Sequence, residues 1–381
     1  MSHPSVATAA PAVAPISCDR TDVPASRLAE AARLLLPHLE QGRRVDAVIL
    51  RAEMEQAFGA SDSSGAWDWK TAYDACEAAT VLFLRKYGRA LFRKAGSPAS
   101  RLAALTKIAG LLPTHTRRSE ESQALQQFST PITLGLAACT AAAITSADRV
   151  LEPSAGTGLL AILAEIAGGA LVLNELADTR AALLDHLFPG VTVTRFDAAQ
   201  IDDHLDAAVT PSVVLMNPPF SAMVNVSGRM ADAAYRHVAS ALARLADGGR
   251  LVAITGANFG PEMPAWRDAF TRLQERGRVV FTAVIDGAVY AKHGTTIETR
   301  LTVIDKMPAA DTAPFPPSAG VAPDVATLLG WIGERVPPRR PVAAPPASPC
   351  REPFAAISRA LPRGSRLLRS QSRVAWRSPT T

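Results

Sequence analysis

The chain has 381 residues, 48% of them hydrophobic and 20% charged, enough for one sizeable α/β core and a smaller part beside it. A formal charge of +5 permits contact with nucleic acid without requiring it, and much of the excess comes from arginines after Pro337. The scattered cysteines Cys18, Cys76, Cys139 and Cys350 form no C-x-x-C pair, and neither a leader pattern nor an apolar run of membrane-spanning length is present. These features predict a soluble, cytoplasmic protein with reduced thiols, no metal ligands and no membrane contact.

Residues 1–22 are rich in Ala, Pro, Ser and Val without periodicity and are expected to be disordered. From Ala25, the spacing of Leu28, Ala31, Leu34, Leu35 and Leu39 predicts a helix. Further helical faces run through Tyr73, Cys76, Ala79, Val81, Leu82 and Leu84, and through Leu102, Leu105, Ile108 and Leu112. Residues 23–118 are therefore expected to be a helical N-terminal region, with Trp67 and Trp69 in its core.

The character changes at Arg149. Short β-rich runs (RVLEP, ALVLNE, VTVTRFD, SVVLMN, GRLVAIT, VVFTAVI, TRLTVID) alternate with helical segments, as in βαβ units with a parallel sheet covered on both faces. The last two runs predict a hairpin across HGTT, with an antiparallel strand at or near the sheet edge, and Tyr290, Lys292 and His293 in a solvated loop. One domain over 119–306 accommodates these seven strands. Residues 307–381 are Pro/Arg-rich and expected to be largely disordered, apart from a short helix over Val325 to Val336.

Several residues carry chemistry. LEPSAGTGLLAIL places Gly156 and Gly158 after a strand and before a helix, where the backbone can approach a ligand. The pattern departs from the dinucleotide fingerprint, and no Lys-Ser/Thr follows as in a P-loop. Glu152, Glu175 and Asp197 stand in order at the C-terminal ends of the first three strands, the edge at which open α/β sheets bind ligands. Glu175 is placed to accept ribose hydroxyls, and Asp197 to accept from an adenine amino group. The fourth strand stops at Asn217-Pro218-Pro219-Phe220.

The order of these parts resembles the class I S-adenosylmethionine-dependent methyltransferases. Within them, N-P-P-F together with the upstream QQFSTP is similar to the amino-methyltransferases, notably the N6-adenine DNA enzymes. The likeness covers roughly residues 120 to 306. It also resembles the methyltransferase portion of bacterial proteins that fuse this domain to a strawberry-notch-type helicase. The resemblance implies an α/β fold with a Rossmann-like seven-stranded sheet and S-adenosyl-L-methionine as cofactor. It makes Phe128, Thr130, Pro131, Glu152, Ala155, Gly156, Gly158, Glu175 and Asp197 cofactor contacts and gives Asn217, Pro218, Pro219 and Phe220 the catalytic role.

The tetrapeptide also has its own physical logic. An exocyclic amine on an aromatic ring is a poor nucleophile because its lone pair is delocalised. Two acceptors aimed at its hydrogens, Asn217 Oδ1 and the Pro218 carbonyl, favour a tetrahedral nitrogen with the lone pair directed at the methyl group. The prolines hold that geometry at low entropic cost, and Phe220 offers a face for a base to stack on. A paired base must leave its duplex to reach Asn217. The stretch between Phe220 and the last strand is filled by predicted strands and helices, so no large recognition insertion is expected. Specificity then falls to the helical region, to a helicase or specificity partner, or is low. Adenine N6 in DNA is the first acceptor implied. RNA amino groups, protein glutamine N5, and a catalytically silent module working with a helicase are the alternatives.

Overall fold

The computed structural model describes residues 22–115, 129–219, 232–339 and 342. Among these, aliphatic runs form eight strands: β1 (Arg149–Glu152), β2 (Ala170–Asn174), β3 (Val193–Thr194), β4 (Val213–Met216), β5 (Arg250–Gly256), β6 (Arg278–Ile285), β7 (Thr299–Asp305) and β8 (Val321–Ala322). They make one sheet in the order β3-β2-β1-β4-β5-β7-β6-β8. The first five are parallel, β7 is antiparallel to both its neighbours, and β8 runs parallel to β6. The chain steps outward from β1 to β3 and then returns to β4 on the other side of β1. This is a doubly wound, Rossmann-like sheet with its switch point between β1 and β4, where a crevice opens at the strands' C-terminal ends.

Alternation along each strand divides the side chains between two cores. Val213, Leu215, Val252 and Ile254 enter one of them. Val214, Met216, Leu251 and Ala253 enter the other. The first core holds α1 (Asp22–Glu40), α2 (Ala47–Phe58), α3 (Trp69–Ala95), α4 (Pro98–Gly110), α5 (Ile132–Ala142), α6 (Leu159–Ala167) and α7 (Asp178–Leu187). The second holds α8 (Ile201–His204), α9 (Ala233–Arg244) and α10 (Arg267–Gln274).

Two expectations are sharpened and one is corrected. The helical region shares one continuous core with the sheet, through fully buried Leu84 and Leu105 among others, each contributing about 1.5–3 kcal/mol by its burial. It is a helical layer of the same fold. Strand β7 lies inside the sheet, between β5 and β6, because both its faces are apolar: Leu301 and Val303 enter the first core and Ile304 the second. The sheet also continues past residue 306, with β8 on its edge and α11 (Val325–Arg335) packed into the first core through Leu328 and Ile332. Arg250, 1% exposed, holds this stretch in place by pairing with Asp305 at 2.7 Å and donating to the carbonyls of Ala141 and Pro337.

Three helices escaped the sequence reading, the one-turn α8 among them. In α5, Leu134, Gly135, Leu136, Ala137 and Ala138 are all buried, so no polar stripe reveals its period. In α2 only Leu50, Met54 and Phe58 are buried, a sparse pattern whose clearest signal is the Asp46 cap accepting from Val48 and Ile49. No helix among the described residues is long and apolar enough to cross a membrane.

Candidate active site

A cleft opens at the switch point, lined in part by Thr130, Glu152, Ala155, Gly156, Glu175, Asp197, Asn217, Pro218 and Pro219. It encloses about 820 Å³, open solvent at its mouth included. Nine of the residues singled out from the sequence thus meet on one surface. Phe128 and Phe220 lie outside the described residues.

In the turn after β1, the Ala155 N–H donates to Asn174 O at 2.9 Å. Gly156 adopts φ 56° and its N–H donates to Glu175 Oε2 at 2.7 Å. A Cβ at Gly156 would meet nothing within 4 Å, so the backbone here faces open space. Gly158 has a different task. At φ 86° a Cβ would lie 2.4 Å from the Phe188 ring, so this glycine lets α6 pack against the end of α7 and does not line the cleft. Pro131 is likewise absent from the lining and precedes α5 as its cap residue.

Asn174 ties the three strand ends together. It is fully buried, donates to the carbonyls of Pro153 and Phe196, and accepts from Thr194 Oγ1 and the Phe196 N–H. Reading LVLNE for its acid alone missed it. Glu175, one residue on, also accepts from Ala177 N–H at 2.9 Å, so backbone donors hold both carboxylate oxygens in place. Asp197 caps the short turn after β3, accepting from Ala199 N–H, and still lines the cleft. Glu152 is 3% exposed, and its Oε2 has no hydrogen-bond partner among the described residues. Burial, then the neighbouring Glu175 charge, hold its carboxyl well above the ordinary range.

The region around Asn217 is assembled from distant segments. Asn217 Nδ2 donates to Thr130 Oγ1 at 2.8 Å, joining the F-S-T-P and N-P-P-F stretches directly. On the same core side lies Tyr290, fully buried, with its hydroxyl beside the Asn217 amide. Burial pushes that hydroxyl above its usual range, and the amide offsets part of the effect. The expected solvated loop of Tyr290, Lys292 and His293 is therefore corrected: Tyr290 and His293 turn inward. His237 also lines the cleft. Its Nδ1 faces the Ala233 carbonyl at 2.7 Å, and since a carbonyl only accepts, Nδ1 carries the hydrogen and Nε2 is the acceptor in the neutral ring.

Behind the glycine turn, α3 contributes two acids one turn apart. Asp74 forms a bidentate, buried pair with Arg180, a residue of the cleft wall, at 2.9 and 3.1 Å. Glu77 Oε2 accepts from Thr157 Oγ1 at 2.6 Å. Burial, then Asp74, push the Glu77 carboxyl up to about 7. Sequence periodicity placed this stretch only as helical core, because acids turned inward break no apolar spacing at neighbouring positions.

No protein-family model matches the chain, and no curated protein matches it in sequence. Solved structures do show likeness. A Listeria monocytogenes protein assigned to the class I S-adenosylmethionine-dependent methyltransferases is 12% identical, with 82% of this chain and 97% of that one covered and a TM-score of 0.44. A Vibrio vulnificus protein assigned as a modification subunit of a type I restriction enzyme is 14% identical with a TM-score of 0.42. That match covers 78% of this chain and 64% of the other, so the chain spans under two thirds of that subunit. A Pyrococcus horikoshii protein assigned as an RNA methyltransferase is 20% identical, with 55% and 99% covered and a TM-score of 0.40. With TM-scores below 0.5 these are likenesses only, and the chemistry is carried by the residues at the strand ends.

Proposed function

We propose that the chain is an S-adenosylmethionine-dependent methyltransferase that modifies an exocyclic amino nitrogen, with adenine N6 of DNA as the acceptor. The observation that carries this reading is Asn217, held by Thr130 at the switch point in the same cleft as the glycine turn and the acids at three strand ends. The residues fit the cofactor. Glu152 presents a buried carboxylate oxygen without a hydrogen-bond partner, suited to a cationic ligand, and Gly156 leaves room where its backbone is approached. Glu152, Ala155, Gly156, Glu175 and Asp197 would hold it. When bound, S-adenosylmethionine supplies an electrophilic methyl group on a sulfonium.

The chain's own residues do the rest by positioning and electrostatics. Asn217 Oδ1 and the Pro218 carbonyl accept the two amine hydrogens and direct the nitrogen lone pair. His237 Nε2, on the cleft wall, is the acceptor available for the proton that the methylated nitrogen loses. With the recognition elements of the substrate unassigned, a helicase or specificity partner that presents the flipped base belongs to the same reading.

Methyl-labelled S-adenosylmethionine offered with DNA, RNA or protein tests it, with the labelled group identified by mass spectrometry. The expected product is N6-methyladenine in DNA. Asn217→Ala should lower transfer by on the order of a thousandfold while leaving cofactor affinity within a few fold. Label in RNA or glutamine would move the acceptor, and cofactor binding without transfer to any acceptor would make the chain a silent module.

A further inference from the structure

Outside the cleft lining, three side chains of metal-ligating type converge from segments far apart in sequence. They are Glu77 on α3, His115 beyond α4, and His293 in the connection between β6 and β7. One ligand atom from each lies within 4.8 Å of the other two. We propose that Glu77, His115 and His293 hold a zinc(II) ion that clamps the helical layer to the connection between β6 and β7.

The ligand chemistry suits zinc: two imidazoles and a carboxylate, with a fourth position left for water. His293 Nδ1 is buried without a hydrogen-bond partner and faces Glu77 Oε1 at 3.8 Å. In a tetrahedral zinc site with bonds of about 2.0–2.1 Å, ligand atoms stand about 3.4 Å apart, so this pair needs to close by only about half an ångström. The surrounding groups already orient the ligands. The Glu77 carboxylate accepts from the hydroxyls of Thr157, at Oε2, and Ser129, and its Oε1 faces His293. The His115 ring stacks on Tyr73 at 4.1 Å, and the two imidazoles meet edge to face at 4.9 Å.

The backbone supports the same set. His115 N–H donates to Lys292 O at 2.8 Å, so the two histidine-bearing segments are stapled beside each other. The Lys292 ammonium, the nearest cation on that loop, donates to the carbonyls of Ala109 and Leu112. Asp74 is committed to Arg180, so neither lysine nor arginine occupies the Glu77 oxygen that faces the histidines. No cysteine or histidine spacing in the sequence announces this set.

The test uses the tag-free full chain, zinc(II) alone in competition with a chelating indicator, and cobalt(II) as a spectroscopic stand-in. One zinc per chain is expected, with affinity falling roughly a hundredfold or more in His115→Ala and in His293→Ala. Cobalt(II) should give the visible d–d bands of a low-coordinate site in the unmodified protein, a readout that needs no variant to fold. Absence of stoichiometric zinc and of those bands would overturn the proposal, as would binding that both histidine variants retain. None of these readouts involves methyl transfer, so their failure is separate from failure of the proposed activity.

Discussion

The two sides of the cleft are built differently. The side formed by β1, β2 and β3 is local: a glycine turn, acids at successive strand ends, and Asn174 tying the ends together through backbone groups. The side around Asn217 is made from parts far apart in the chain, Thr130 before α5 and Tyr290 between β6 and β7. A backbone-built site is robust to most side-chain changes but intolerant of added Cβ atoms. A side-chain-built site can lose its geometry through one remote hydroxyl.

The largest effect expected from this contrast comes from the glycines. Gly158→Ala forces a Cβ toward Phe188 at 2.4 Å with φ 86° and should cost about 2–4 kcal/mol of stability, read by denaturant unfolding. Gly156→Ala meets no atom within 4 Å and should cost only about 1 kcal/mol, appearing instead as weaker cofactor binding. Equal losses in the two variants would erase the distinction between a packing glycine and a ligand glycine.

A smaller effect is expected on the other side. Thr130→Val keeps the shape but removes the acceptor for Asn217 Nδ2, and should lower kcat roughly tenfold with cofactor affinity unchanged. Thr130→Ser should restore most of the rate. A loss that appears in cofactor affinity instead would return Thr130 to the role of a cofactor contact.

The smallest is a pH dependence. Burial and Glu175 raise the folded-state pKa of Glu152 above its unfolded value, so its contribution to stability is fully present below the unfolded pKa and is lost as pH rises through the folded one. A cationic ligand favours the ionised form, so affinity for S-adenosylmethionine should rise with pH, by at most about tenfold per pH unit, and then level off. Isothermal titration across that range should give a flat profile for Glu152→Gln. The same slope in that variant would assign the proton to another group.

Much of the β1–β4 edge was legible in the sequence because its signals are local. Aliphatic runs ended in an acid or an amide, glycine stood where a turn meets a helix, and two prolines closed a strand. What escaped has a common cause. Helix α5 is apolar all round, Asp74 and Glu77 are acids hidden on a helix read as core, and Tyr290 and His293 sit in a polar-looking loop that folds inward. Each owes its role to a neighbour that is distant along the chain.

The sequence by itself determined the alternating α/β architecture and the residues at the strand ends, since periodicity and turn chemistry act over a few residues. Only the tertiary structure decided that β7 lies between β5 and β6, that the helical region is a layer of the same core, and that Thr130 meets Asn217. Those outcomes depend on which apolar surfaces find each other, and burial is non-directional until the whole fold is assembled.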